Sequence, residues 1–362
     1  MKTIIHIGSP KTGTTALQRG LFDARKILLN HGVLYPELTE AKSAKNHGPI
    51  SLALVQTERL PRKFRFLSES DRETIRVESL REIIEQVNST KPACLLLSSE
   101  YLFRVIPFGR WQAFLEQVPG FNIENVRISC YIRRPSAHYL SILQQKLKAS
   151  HEVLRPSPHN FRRVLKSYAK QFPNSQDSVR LFDRRSLLGE DILFDFAATQ
   201  LHEYLDASVL GDSPSDENAT VSAESMFALR EFRKRFFPND NDKFRAQSSE
   251  LLRELVELEQ PLGLPKPKLK TEIADQVDYS SKDVLWLRDS FDLAFNGYRY
   301  ERAGAVPKFV DQGKTIDLGE IVEIDDESLL GLLGELQKSK FIEEDQSYAD
   351  WLRSLIEKVG AV

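Results

Sequence analysis

The sequence predicts a three-layer α/β fold with a central, mostly parallel five-stranded sheet and a helical C-terminal part. Short apolar runs of strand length recur at 3–7, 33–35, 93–98, 127–132 and 178–182. Between them lie stretches with helical spacing, at 16–30, 72–87 and 137–148. That alternation builds parallel sheets joined by crossover helices. The runs at Leu95-Leu96-Leu97 and from Ile128 to Ile132 read as strands buried on both faces, as in the middle of such a sheet.

The first strand ends in a glycine-flanked loop, Gly8-Ser9-Pro10-Lys11-Thr12-Gly13-Thr14-Thr15, and a helix follows from Ala16. A strand, a glycine loop and a helix start make an anion cradle of the phosphate-loop (P-loop) type. Backbone N–H groups point inward there, and the helix dipole favours negative charge. The nucleotide-hydrolysing version reads G-x-x-x-x-G-K-[ST]. Here both glycines stand at that spacing, but Thr14 occupies the lysine position and the loop's lysine is Lys11, inside the gap. The lysine that spans the β- and γ-phosphates is missing, which argues against metal-assisted nucleotide hydrolysis. A cation at the crown of the loop suits stabilisation of an oxygen between a 5′-phosphate and a transferred group. Gly32 stops the helix at 16–30.

The third strand leads into Ser98-Ser99-Glu100, which places a carboxylate at the strand's carboxyl end. The fourth ends in Arg133-Arg134-Pro135, and Ser141 follows eight residues after Arg133. Arg133 presents a forked, permanent cation. Pro135 fits the first turn of a helix, and Ser141 lies about two turns along it. Ligands in open parallel sheets bind beyond the carboxyl ends of the strands, where the loop, Glu100 and Arg133 all lie.

Residues 6–18 resemble the 5′-phosphosulfate loop of sulfotransferases that use 3′-phosphoadenylyl sulfate (PAPS), and Arg133 with Ser141 resembles that family's 3′-phosphate element. The position held by Arg134 is often acidic in the family, and the arginine makes the site more cationic. The resemblance covers the first two-thirds of the chain. It implies PAPS as donor and adenosine 3′,5′-bisphosphate as product. Gly8, Ser9, Pro10, Lys11, Thr12, Gly13, Thr14 and Thr15 would hold the 5′-phosphosulfate, Arg133 and Ser141 the 3′-phosphate. It also implies a hydroxyl or amine acceptor, on a carbohydrate or glycolipid, and no metal. The segment from Asn218 to Ser222 is similar to one seen in bacterial members.

Such a transfer needs a base for the acceptor. Glu100 is one candidate, at the place where cytosolic members of the family carry a histidine. His47, in a loop after the second strand, is another, since imidazole titrates near working pH. Glu37 is a third. The basic, aromatic run Pro61-Arg62-Lys63-Phe64-Arg65-Phe66 suits contact with an anionic saccharide and equally a solvated helix start. Two rival readings stay open: a P-loop nucleotide kinase or NTPase, and a non-catalytic nucleotide-binding module.

The 362-residue chain has a formal net charge of −2, so no global nucleic-acid signature is present. Its two cysteines, Cys94 and Cys130, lie in apolar runs and read as reduced core residues. The chain enters a strand almost at once, without a basic-then-apolar leader. No apolar run nears the roughly 20 residues of a membrane span. A cytoplasmic protein is the expectation. The later chain reads as helices at 222–237, 248–259 and 279–297, with a Pro/Lys linker at 261–270. The division expected is a main domain over 1–302, helical from about 206, and an acidic, mostly helical extension over 303–362. That extension reads as a solvated cap or as a docking element for a partner.

Overall fold

The computed structural model describes residues 1–42, 45–156, 159–172, 178–214, 220–310 and 313–361. Asn218 and Ala219, part of the bacterial-type segment, lie outside them. The fold is α/β: five parallel strands, β1 (Lys2–His6), β2 (Val33–Leu34), β3 (Cys94–Ser98), β4 (Val126–Ile132) and β5 (Ser178–Leu181), form one sheet in the order β2-β3-β1-β4-β5, with helices on both sides. Each strand falls on an apolar run of the sequence. β1, the middle strand, pairs with β3 from Lys2↔Cys94 to His6↔Ser98 and with β4 from Thr3↔Val126 to His6↔Ser129.

The chain leaves β1 toward β2 and leaves β4 toward β5, in opposite directions. The switch point of the sheet therefore lies between β1 and β4, where parallel sheets hold ligands. Alternation along the strands sends Ile4, Cys94, Leu96 and Tyr131 into one core with Leu17 and Leu21 of helix α1 (Thr14–Asp23) and with Leu193, Phe196 and Leu201. The helix predicted over 16–30 is interrupted: α1 ends at Asp23, and a second helix runs Arg25–Asn30. Both cysteines are buried and free.

The chain divides into two compact units. The first comprises Met1–Arg133, Asn160–Asp216 and Leu285–Tyr298, and contains the whole sheet. The second comprises Arg134–His159, Glu217–Val284 and Arg299–Val362. Within the second unit the residues beyond 303 are not a separate appendage. Leu318, Ile321 and Val322 share a core with Leu143, Leu147 and Met226. Leu329, Leu332, Leu333 and Leu336 pack with Phe232, Leu251 and Leu255. Those four leucines repeat at i, i+3, i+4 and i+7, so the acidic stretch carries one apolar helix stripe that must be covered. The helix expected over 279–297 is shorter, Asp283–Phe291; another helix, Thr271–Tyr279, precedes it, and the one before that runs to Leu262, ended by left-handed Gly263. Among the described residues no helix is long and apolar enough to cross a membrane.

Candidate functional site

The loop begins as a continuation of the sheet. Beyond β1, Ile7 N–H donates to Ser129 O (2.9 Å), Tyr131 N–H to Gly8 O (2.9 Å) and Ser9 N–H to Tyr131 O (3.0 Å). This pairing carries the loop along β4 to within two residues of Arg133. Thr12 Oγ1 then donates to Ser9 O (2.5 Å) and closes the loop on itself. Lys11 sits at the crown in the left-handed region, with φ 63°.

Two glycines are required by what approaches them. A Cβ on Gly8 would lie 2.9 Å from Glu100 Cα, and a Cβ on Gly13 would lie 2.5 Å from the Phe182 ring. Both have positive φ, 97° and 70°. Gly13 is the N-cap of α1 and offers no capping side chain, and the first turn carries no acidic residue. The helix start thus presents its first backbone donors with neither a capping side chain nor an acid of its own first turn.

Phe182 lies between the glycine loop and Arg133. Its N–H donates to Ile132 O (2.7 Å), which sets the ring between Gly13 and Arg133, whose guanidinium lies 6.0 Å from the ring centroid. Burial lowers the pKa of Arg133 and nearby Asp183 raises it, so the half-buried guanidinium stays a cation.

Glu100 comes to the same place from β3. Ser99 N–H donates to His6 O (3.0 Å), and the chain then turns so that Glu100 packs against Gly8. Its carboxyl hydrogen-bonds Thr14 and Gln18 of α1 and feels the charge of Lys11. Burial nevertheless dominates and pushes its pKa up. The result is a half-buried carboxyl group, more basic than usual, beside a cation and a helix start.

His47 reaches this edge in a different role from the base expected of it. It is fully buried; Ser98 N–H donates to its Nδ1 (2.8 Å) and its Nε2–H donates to Pro36 O (2.8 Å). Its own N–H donates to Ser98 O (2.9 Å), and its ring packs 4.4 Å from that of Tyr35. Burial lowers its pKa to about 4. Both nitrogens serve backbone, so the imidazole ties the loop at 45–48 to the sheet edge and has no lone pair left for an acceptor. Glu37 is held in ion pairs with Arg25 and Lys42 (3.1 Å each), and the Lys42 hydrogen bond leads in lowering its pKa.

Arg134 does not add to the cationic site. Its Nε donates to Asp278 (2.8 Å), a carboxylate only 1 % exposed, which also accepts from Ser136 N–H (2.8 Å) and Ser136 Oγ (3.0 Å). Asp278 thereby caps the Pro135–Leu147 helix from a distant part of the chain. Ser141 lies on that helix, half-buried, in the second unit; Arg133 is the last residue of that segment of the first.

Two members of the site escape a reading of motifs. Gln18 donates to Ser98 Oγ (3.1 Å), and Ser98 Oγ also bonds His6 Nδ1 (2.8 Å). The signal for Gln18 is its buried polar side chain four residues after Thr14, between Leu17 and Leu21 on a core-facing helix. Phe182 carried no signal beyond its place after a strand. Among the described residues no group of three His, Cys, Asp or Glu side chains gathers as metal ligands. No family model matches the chain, and neither a curated protein nor a solved structure matches it.

Proposed function

We propose that the chain is a PAPS-dependent sulfotransferase that moves the sulfuryl group to a hydroxyl or amine of a carbohydrate or glycolipid acceptor by in-line displacement. One observation carries the reading. At the switch point of a parallel sheet, a glycine loop without the hydrolytic lysine sets Lys11 and an uncapped helix start against Glu100, a half-buried carboxyl that packs on Gly8 and has a raised pKa.

The residues present fit the donor. The first-turn N–H groups of α1, with the Thr15 hydroxyl, suit a 5′-phosphosulfate, while the single hydroxyl proton of Thr14 is given to Glu100. Arg133, across Phe182, suits the 3′-phosphate, and Ser141 is assigned there by the resemblance alone. PAPS supplies an activated sulfuryl group. Lys11 neutralises charge on the oxygen that departs with the bisphosphate. Glu100 accepts the proton of the attacking hydroxyl, and its raised pKa makes it a stronger base near neutral pH. Thr14 and Gln18 hold the carboxylate toward the acceptor.

Calorimetric titration of wild type and Arg133→Ala with adenosine 3′,5′-bisphosphate, and with ADP plus Mg²⁺, tests the donor. The expected result is metal-free bisphosphate binding that Arg133→Ala weakens by about tenfold or more, as loss of a charge-assisted contact does. Preference for Mg-ADP, or indifference to Arg133→Ala, would return the loop to the NTPases. Bisphosphate binding without transfer to any acceptor would leave a binding module.

A further inference from the structure

The geometry points to an anionic polysaccharide as the acceptor, bound along a basic and aromatic surface that starts at Arg104, four residues beyond Glu100. This rests on the sulfotransferase reading for the word acceptor and for the choice of a saccharide over nucleic acid, whereas the basic and aromatic surface is argued independently of it. In a chain of net charge −2, the segments 57–66, 101–107 and 161–171 carry nine Lys and Arg and one acid, Glu58.

Tertiary packing gathers these segments on the first unit. Arg104 donates to the carbonyl of Arg59, Tyr168 Oη donates to Leu102 O (2.7 Å), and Gln171 donates to Ile106 O (2.8 Å). The rings of Phe103 and Phe161 meet edge-on at 6.1 Å. The Phe161–Gln171 helix buries Phe161, Val164, Leu165 and Tyr168, so Arg162, Arg163, Lys166 and Lys170 all stand on its exposed side.

Aromatic rings lie among the cations. Phe66 is 71 % exposed, with the Arg62 and Arg65 guanidinium groups 5.4 and 5.2 Å from its centroid. Arg162 and Lys166 lie 6.0 and 5.8 Å from the Trp286 ring. An exposed Phe surrounded by arginines is costly to leave in water and gains from a partner with apolar faces and anionic edges. A polysaccharide of acidic sugars has both: C–H faces that lie on rings, and carboxylates or sulfates that take the guanidinium forks. Nucleic acid offers the same pairing through bases and phosphates. The saccharide is favoured because Arg104 follows Glu100 by four residues, so these segments adjoin in the chain the edge that the proposed function assigns to a hydroxyl acceptor.

The test uses the full chain and three probes: heparin as a sulfated, uronate-bearing polysaccharide, neutral dextran, and oligothymidylate matched to heparin in charge. Wild type is compared with two double variants at exposed positions, Arg162→Glu/Lys166→Glu and Arg59→Glu/Arg65→Glu. Bisphosphate titration and thermal melting are run in parallel. The expected result is heparin binding that falls steeply with salt and weakens about tenfold or more in each variant, with dextran inert. Oligothymidylate should bind more weakly than heparin, and bisphosphate affinity should be unchanged. Heparin affinity equal in wild type and both variants, or absent at about 0.15 M salt, overturns the proposal. Tighter binding of oligothymidylate makes the surface a nucleic-acid site and overturns it too. Heparin discrimination without any bisphosphate binding keeps the surface and removes the donor reading instead.

Discussion

The two helices that follow β1 and β4 in the chain solve the same electrostatic problem at their starts in opposite ways. In both, the first N–H groups need acceptors. After β4, the Pro135–Leu147 helix receives a buried carboxylate, Asp278, which accepts from Ser136 and pairs with Arg134. After β1, helix α1 begins at Gly13 with no capping side chain and no acid in its first turn. Its nearby carboxyl, Glu100, is instead held by the Thr14 and Gln18 side chains and pushed toward the neutral form by burial. One helix start holds a carboxylate brought from elsewhere in the chain; the other has neither a capping side chain nor an acid in its own first turn, and is the place proposed above for an outside anion. The pattern of arginine, proline and glycine at the two helix starts does not reveal this, because the carboxylate lies 142 residues from Ser136.

The sharpest break in the contrast is Glu100→Gln. If Glu100 is the general base of the proposed function, its loss should lower turnover by about 10²–10⁴-fold while the fold persists. The stability change has the opposite sign. Because the folded pKa of Glu100 is raised, its ionisation opposes folding, and stability present below pH 4.5 is lost as pH rises through the raised value. Tm of Glu100→Gln relative to wild type should therefore increase from pH 4 to pH 7. A relative Tm that falls over this range would show a carboxylate stabilised in place.

Emptying the other helix start comes next. Asp278→Ala strips Arg134 and Ser136 of a buried shared acceptor and should cost about 2–4 kcal/mol, read by urea denaturation of the full chain. A loss within about 0.5 kcal/mol, typical of surface sites, would mean water replaces the carboxylate.

His47 should make the edge sensitive to acid. Its pKa is depressed to about 4 from 6.5, so its contribution is complete above pH 6.5 and is lost as pH falls toward 4. That window is worth on the order of 3 kcal/mol. His47→Gln should be less stable at pH 7 and show a flatter stability profile between pH 6.5 and 4. An unchanged slope would assign the acid sensitivity elsewhere, to His6 and His159, whose pKa values burial lowers to about 3.

The smallest change makes the start of α1 resemble that of the Pro135–Leu147 helix. Thr15→Glu places a carboxylate in the exposed first turn of α1. It should stabilise the protein by about 0.5 kcal/mol through the helix dipole and weaken bisphosphate binding by about tenfold through repulsion. Stabilisation with unaltered bisphosphate affinity would move the anion away from this helix start.

The sheet was legible in the sequence because its cause is local. Apolar runs of strand length, such as Leu95-Leu96-Leu97, have few ways to be buried except as inner strands, and Gly8 and Gly13 mark the loop because only glycine suits both their φ and their neighbours. The position of Glu100 at a strand end was legible for the same reason. What tertiary structure decided was the partner of each polar group. His47 reads as a titratable loop histidine until burial and two backbone bonds fix it. Arg134 reads as an added cation until Asp278 meets it, and the acidic residues beyond 303 read as an appendage until their leucine stripe finds Phe232 and Leu251. Periodicity and glycine act over one turn or one strand and are written along the chain. Burial, charge pairing and pKa depend on groups brought together from distant parts of it, and only the folded arrangement sets them.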